Sequence, residues 1–260
     1  MKKKLYFGSN FKMYKNINET KKYLQEITEA TKEVDRNQVQ FFFIPSYTSL
    51  ESASKMEIRN QFMLGAQNMC WESEGQFTGE ISPEMLRELG VELVMIGHSE
   101  RRYKFHESDH MENQKVKKAL EYGFTTLLAV GETAEEKMYG ISQETVRSQL
   151  KKDLYGVTSD QIAQYLWIAY EPVWAIGVHG TAAPVEYAAT MHRTIRECLV
   201  ELFGKAGEEV PLLYGGSVNP GNASELLSQT DINGLFTTRT AFQVECFAGM
   251  IKKAIQENIY

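Results

Sequence analysis

The stretch Tyr165-Leu-Trp-Ile-Ala-Tyr-Glu-Pro-Val-Trp-Ala-Ile-Gly177 decides how this chain is read. Its first six residues form an apolar strand that runs directly into Glu171. Pro172 cannot donate to a sheet ladder and keeps the residue before it extended, so the strand ends at Glu171. A carboxylate there is a candidate general base, because Val173, Trp174, Ala175 and Ile176 form an apolar loop able to exclude water. The plainer reading is a solvated strand-end acid beside a half-buried tryptophan. Taken alone, the stretch favours that plainer reading.

Other strands end in the same manner. Val91-Glu-Leu-Val-Met-Ile-Gly97 leads into His98-Ser-Glu-Arg-Arg102, and Leu5-Tyr-Phe-Gly-Ser-Asn10 delivers Lys12. Val210-Pro-Leu-Leu-Tyr-Gly-Gly-Ser217 ends in Gly215, Gly216 and Ser217, which suits a backbone cradle for an anion. Strand-length apolar runs cover 4–10, 39–44, 62–66, 92–97, 125–130, 166–171, 211–215 and 232–236. They do not alternate cleanly, as expected for strands buried on both faces. Between them Ile17, Tyr23, Leu24, Ile27, Ala30 and Val34 recur at helical spacing, as do Ala188, Met191, Ile195, Leu199 and Leu202. Ser82-Pro83 and Asn219-Pro220 read as caps before an N1 proline, and Thr133 with Glu136 as a capping box.

Eight strand–helix units without a linker predict one α/β domain over residues 1–260, a (β/α)8 TIM barrel whose strand ends converge on one face. A doubly wound open sheet is the runner-up. The dinucleotide glycine fingerprint is missing after the first strand, where Gly8-Ser-Asn-Phe-Lys12 stands.

The ordered motifs Gly65-Ala-Gln-Asn68, Phe77-Thr-Gly-Glu-Ile-Ser-Pro83, Ile96-Gly-His-Ser-Glu-Arg-Arg102, Val130-Gly-Glu-Thr133, the Glu171 segment and Tyr214-Gly-Gly-Ser-Val218 resemble the triosephosphate isomerase family. The likeness runs from Gly8 to about Gly249. It implies an aldose–ketose isomerase that moves a proton between adjacent carbons through an enediolate. In the division of labour established for that family, Glu171 is the base and His98 a neutral electrophile. Asn10 and Lys12 match its Asn-x-Lys pattern, in which the lysine neutralises developing charge and phosphate. Glu100 matches an acidic position behind the catalytic pair; a helix N-terminal carboxylate is the other reading. Gly177, Gly215, Gly216 and Ser217 fall at phosphate-binding positions. Thr78, Glu80 and Arg101 fall at the contact with a second subunit, so a homodimer is expected, with no cofactor and no metal.

Two departures from the family pattern stand out. After Gly177 the chain continues Val178-His179-Gly180 instead of Thr-Gly-Lys, which bears on the hinge of the mobile lid. After the eighth strand Thr238 and Arg239 replace a glycine pair whose amides hold phosphate. The bland reading is a tolerated variation with Arg239 turned outward. The sharper one is a remodelled subsite in which a guanidinium partly replaces amide donors. It would fit a four-carbon ketose phosphate such as erythrulose phosphate, alongside the three-carbon reaction between dihydroxyacetone phosphate and glyceraldehyde 3-phosphate.

Other classes fare less well. A non-catalytic sugar-phosphate binder would not need Glu171 and His98 together, and an aldolase would want a Schiff-base lysine where Glu171 stands. A net charge of -6 over 260 residues argues against nucleic acid. No apolar run approaches a membrane span, and the apolar stretch after Met1-Lys-Lys-Lys4 stops at Gly8, too short for a signal core, so a cytoplasmic protein is expected. Cys70, Cys198 and Cys246 show neither disulfide nor zinc spacing.

Overall fold

Eight parallel strands close on themselves in sequence order, and the computed structural model describes residues 4–177 and 180–258. The strands are β1 (Leu5–Asn10), β2 (Val39–Ile44), β3 (Met63–Ala66), β4 (Leu93–Ile96), β5 (Thr125–Val130), β6 (Leu166–Tyr170), β7 (Leu212–Tyr214) and β8 (Gly234–Phe236). β8 returns to β1 with Tyr6 opposite Gly234, Phe7 opposite Leu235 and Gly8 opposite Phe236. The expected barrel is therefore present, and the open-sheet alternative is excluded.

The absence of clean alternation has a simple cause. Every second residue faces inward, yet both faces are dry. Phe42, Ile44, Leu93, Met95, Leu127, Ala129, Trp167 and Ala169 fill the barrel, while Phe41, Phe43, Val94, Ile96, Leu128 and Ile168 pack against the helices. Inside, the Trp167 ring meets Tyr6 edge-on at 4.7 Å and Phe42 at 5.7 Å, and Phe42 stacks on Phe236. Gly8 makes room for this aromatic plug, since a Cβ on Gly8 would lie 2.3 Å from the Phe42 ring.

The outer helices start and stop largely where the sequence marks them. Asn16 and Glu19 form a capping box on the helix Ile17–Ala30, and Thr133 and Glu136 form another on Ala134–Met138. Ser82 caps Pro83–Glu88 with proline at its first position. One cap falls elsewhere. Asn219-Pro220 opens a turn, in which Asn219 Oδ1 accepts from the Gly221 amide, and the next helix begins only at Ala223. Its short polar side chain serves the turn and so is not available to a helix. Among the described residues no helix is long and apolar enough to cross a membrane.

The plug generates a stability test. Phe42→Ala should cost about 3–5 kcal/mol in urea unfolding, and Gly8→Ala about 1–3 kcal/mol through overpacking. Combining Gly8→Ala with Phe42→Leu should cost less than the sum of the two single changes, because the added methyl occupies space the ring has left.

Candidate active site

The site lies at the ends of β1, β4 and β6, with the ends of β7 and β8 beside it. Glu171 directly follows β6, and its amide is held by the Val130 carbonyl at 2.8 Å. His98 follows β4 and is the N-cap of the helix Ser99–Lys104. Lys12 lies two residues beyond β1. It adopts a left-handed backbone with φ 51°, which costs a non-glycine residue conformational energy and clusters at functional sites. Asn10 stabilises that turn, its Oδ1 accepting from the Lys12 amide at 2.8 Å, and Gln67 donates to the Lys12 carbonyl at the same distance.

These side chains converge. His98 Nε2 stands 3.6 Å from Glu171 Oε1, and Lys12 Nζ donates to Glu100 Oε1 at 3.1 Å. The first separation exceeds a hydrogen bond, so a reacting group is not excluded by a tight contact. The Glu100 amide donates to His98 Nδ1 at 3.1 Å. Accepting there requires Nδ1 to be bare, which puts the proton of the neutral ring on Nε2, facing Glu171. Burial, and then the charges of Lys12 and Lys104, push the imidazole down to about 3. At any ordinary pH it is a neutral donor.

Glu171 shifts in the opposite direction. Burial raises its carboxyl to about 7, against a lowering by Lys12 and by a backbone hydrogen bond from Ser99. The side chain is 4% exposed and its Oε2 has no hydrogen-bond partner. A base that titrates near neutrality and keeps a bare oxygen is suited to taking a proton from carbon. Gly215 leaves space for it, because a Cβ at that position would fall 2.7 Å from Glu171 Cγ. Arg102 braces the opposite wall. Its guanidinium donates to the Gly97 carbonyl at 2.8 Å, to the Ala129 carbonyl at 3.3 Å and to Asp153 at 2.6 Å, fixing the turn that presents His98.

The segment after Glu171 is anchored by residues not singled out from sequence. Glu132 is fully buried and accepts from Trp174 Nε1 at 2.7 Å, Tyr187 at 2.8 Å and Tyr170 at 3.0 Å. Lys137 Nζ lies 3.2 Å from the centre of the Trp174 ring. The Val130-Gly-Glu-Thr133 motif was the available signal for Glu132, but an acid at a strand end does not reveal which tryptophan it will hold. Nothing local signalled Lys137 or Gln67.

The remaining expected residues are placed as follows. Gly216 and Ser217 follow Gly215 after β7. Thr238 donates to the Asn10 carbonyl at 3.0 Å, and Arg239 to the Gly177 carbonyl at 2.7 Å. Thr78 and Glu80 are exposed on the loop between β3 and the helix Pro83–Glu88, whose base is closed by the Cys70 amide on the Ile81 carbonyl at 2.8 Å. Arg101 pairs with Glu107 within the chain. Val178 and His179, where the lid leaves the expected pattern, lie outside the described residues, as do Met1, Lys2 and Lys3.

Similarity to known proteins agrees with this geometry. The family model described as Triosephosphate isomerase matches residues 5–254. The chain is 42% identical to the triosephosphate isomerase of Carboxydothermus hydrogenoformans, over 97% of this chain and 100% of that protein. It is 41% identical to the L-erythrulose-1-phosphate isomerase of Rhizobium etli, over 96% of this chain and 92% of that one. The crystal structure of triosephosphate isomerase from Bartonella henselae superposes with a TM-score of 0.85 at 32% identity, covering 97% of this chain and 99% of its own.

Two measurements check the electrostatics. Nitrogen-15 NMR of His98 should show a neutral ring protonated on Nε2 throughout pH 5–9. Because the Glu171 carboxyl titrates near 7 when folded and near 4.5 when unfolded, its contribution to stability is complete below about pH 4.5 and is lost as pH rises through 7. Unfolding free energies of wild type and Glu171→Gln should therefore diverge over that window, by on the order of 3 kcal/mol in favour of the variant at pH 8.

Proposed function

The chain belongs to the triosephosphate isomerase family, and from that premise we propose that it interconverts dihydroxyacetone phosphate and glyceraldehyde 3-phosphate. One observation carries the reading: a buried carboxylate with a free oxygen stands 3.6 Å from the protonated nitrogen of a neutral imidazole, with a lysine alongside. Glu171 takes the proton from C1 of the ketose while His98 Nε2–H donates to the C2 oxygen, and Lys12 stabilises the negative charge that develops there. The enediolate exchanges its hydroxyl protons through His98, and Glu171 returns its proton to C2, giving the aldose. No group outside the substrate and these side chains gains or loses a proton overall. Gly177, Gly216, Ser217 and the backbone at Thr238 and Arg239 are the groups assigned to phosphate, with the apolar lid excluding water.

A second reading rests on Thr238 and Arg239, which stand where the family usually has two glycines, together with the 41% identity to an erythrulose phosphate isomerase. In it a four-carbon ketose phosphate is the better substrate. The three-carbon reaction is preferred because the site residues after β1, β4, β6 and β7 all match it.

We also infer a homodimer. Met13 and Tyr14 after β1, Phe77 in the loop after β3 and Phe105 after β4 are large apolar side chains left exposed on the single chain. Phe77 precedes Thr78 in the chain and the Phe105 ring centre lies 4.6 Å from the Arg101 guanidinium, and a partner's copy of the same surface would cover these apolar side chains. The reaction is assigned to the cytoplasm, where charged sugar phosphates are retained.

Three outcomes test these statements. Glu171→Gln should lower kcat by about 10²–10⁴-fold or more while the fold persists, and should abolish exchange of the substrate's carbon-bound hydrogen with solvent deuterium. In a substrate panel, kcat/KM should be higher for dihydroxyacetone phosphate than for erythrulose 1-phosphate. The reverse order, shifted back by Gly-Gly at 238–239, establishes the second reading. Thr78→Arg should give poorly active monomers by light scattering.

A further inference from the structure

Three successive side chains fasten the segment after β8 to three different neighbours. Thr238 Oγ1 donates to the Asn10 carbonyl at 3.0 Å, Arg239 Nη2 to the Gly177 carbonyl at 2.7 Å, and Thr240 Oγ1 to the Val218 carbonyl at 2.5 Å. The acceptors belong in turn to the end of β1, the lid and the loop after β7. A glycine pair at 238–239 could make neither of the first two contacts. Arg239 is exposed on the surface, so its long side chain would keep its rotameric freedom in water unless a specific acceptor held it. The acceptor it holds is the backbone of the residue assigned to meet the phosphate.

The lid is consequently held at both ends of a short apolar span. Trp174 is fixed by its hydrogen bond to Glu132 and by the ammonium of Lys137 over its ring. Only Ala175 and Ile176 separate it from Gly177, whose carbonyl Arg239 takes. A charge-assisted bond to the Gly177 carbonyl restrains the lid backbone at that residue. The guanidinium is directed at the lid backbone.

We propose that Arg239 is a positioning residue for the lid. Its side chain holds the Gly177 carbonyl, and so sets the lid over the sugar phosphate, without the guanidinium acting as a phosphate ligand. The proposal rests on the sugar-phosphate isomerase reading above. Its chemical consequence concerns the fate of the enediolate. Under a seated lid the enediolate is reprotonated on carbon. Under a loosened one its C–O bond to phosphate breaks, inorganic phosphate leaves with the electron pair, and the resulting enol tautomerises to methylglyoxal.

The experiment compares wild type, Arg239→Ala and Arg239→Lys with dihydroxyacetone phosphate, reading kcat, KM, the share of turnovers that end in methylglyoxal, and the inhibition constant of inorganic phosphate. Arg239→Ala should lower kcat about tenfold and raise the methylglyoxal share by a similar factor, with the phosphate inhibition constant within about twofold of wild type. Arg239→Lys, which can still donate to a carbonyl, should recover most of both. If the inhibition constant rises about tenfold while the methylglyoxal share is unchanged, Arg239 is a phosphate ligand and the proposal is overturned. Unchanged kinetics in Arg239→Ala also overturns it. Wild type that turns over neither dihydroxyacetone phosphate nor erythrulose 1-phosphate removes the isomerase reading, and this proposal with it.

Discussion

Desolvation of the Glu171 carboxylate is the constraint on which the rest of this site depends. A carboxylate out of water is a stronger base, but it also opposes folding, and the surrounding structure has to be shaped to hold it. Pro172 ends β6 at the correct residue, Gly215 withholds the side chain that would collide with it, and Lys12 supplies a counter-charge from a strained left-handed turn. His98 must then be neutral, because an imidazolium facing Glu171 would pair with it and suppress its basicity. The Glu100 amide on Nδ1, together with burial, meets that requirement. The two groups have exchanged their usual order of acidity, the separation that the proposed roles of base and electrophile require at neutral pH.

The barrel makes this arrangement affordable in conformational terms. Each side chain sits at the end of a different strand whose register is fixed by neighbours on both sides and by an interior packed with aromatic rings. The strands supply rigidity, and the loops after them supply chemistry. The lid is the part least supported by strands, and it is restrained by side chains reaching from other elements: Glu132 and Lys137 at Trp174, Arg239 at Gly177.

Much of this was legible in the sequence, for identifiable reasons. Strands buried on both faces leave dense apolar runs, so all eight were located to within a residue or two. Glu171, His98 and Lys12 stand out because each follows such a run. Asn219-Pro220 misled because the asparagine's side chain bonds within its own turn, a choice that cap statistics do not separate from helix capping. Glu132 and Lys137 at Trp174, Gln67 at Lys12 and Arg239 at Gly177 are contacts between residues 37 to 62 apart in the chain, brought together by the barrel's closure, and local pattern carries no information about them. The replacement of a glycine pair at 238–239 was visible as a departure; that its guanidinium turns to the lid backbone was not.

The central claim is that burial makes Glu171 a base poised near neutrality. Carbon-13 NMR of carboxyl-labelled glutamate, assigned by difference against Glu171→Gln, measures that directly in the free enzyme. A titration midpoint near 7 is the predicted result. A midpoint near the ordinary value of about 4.5 would show that the carboxylate is solvated, and would contradict the account.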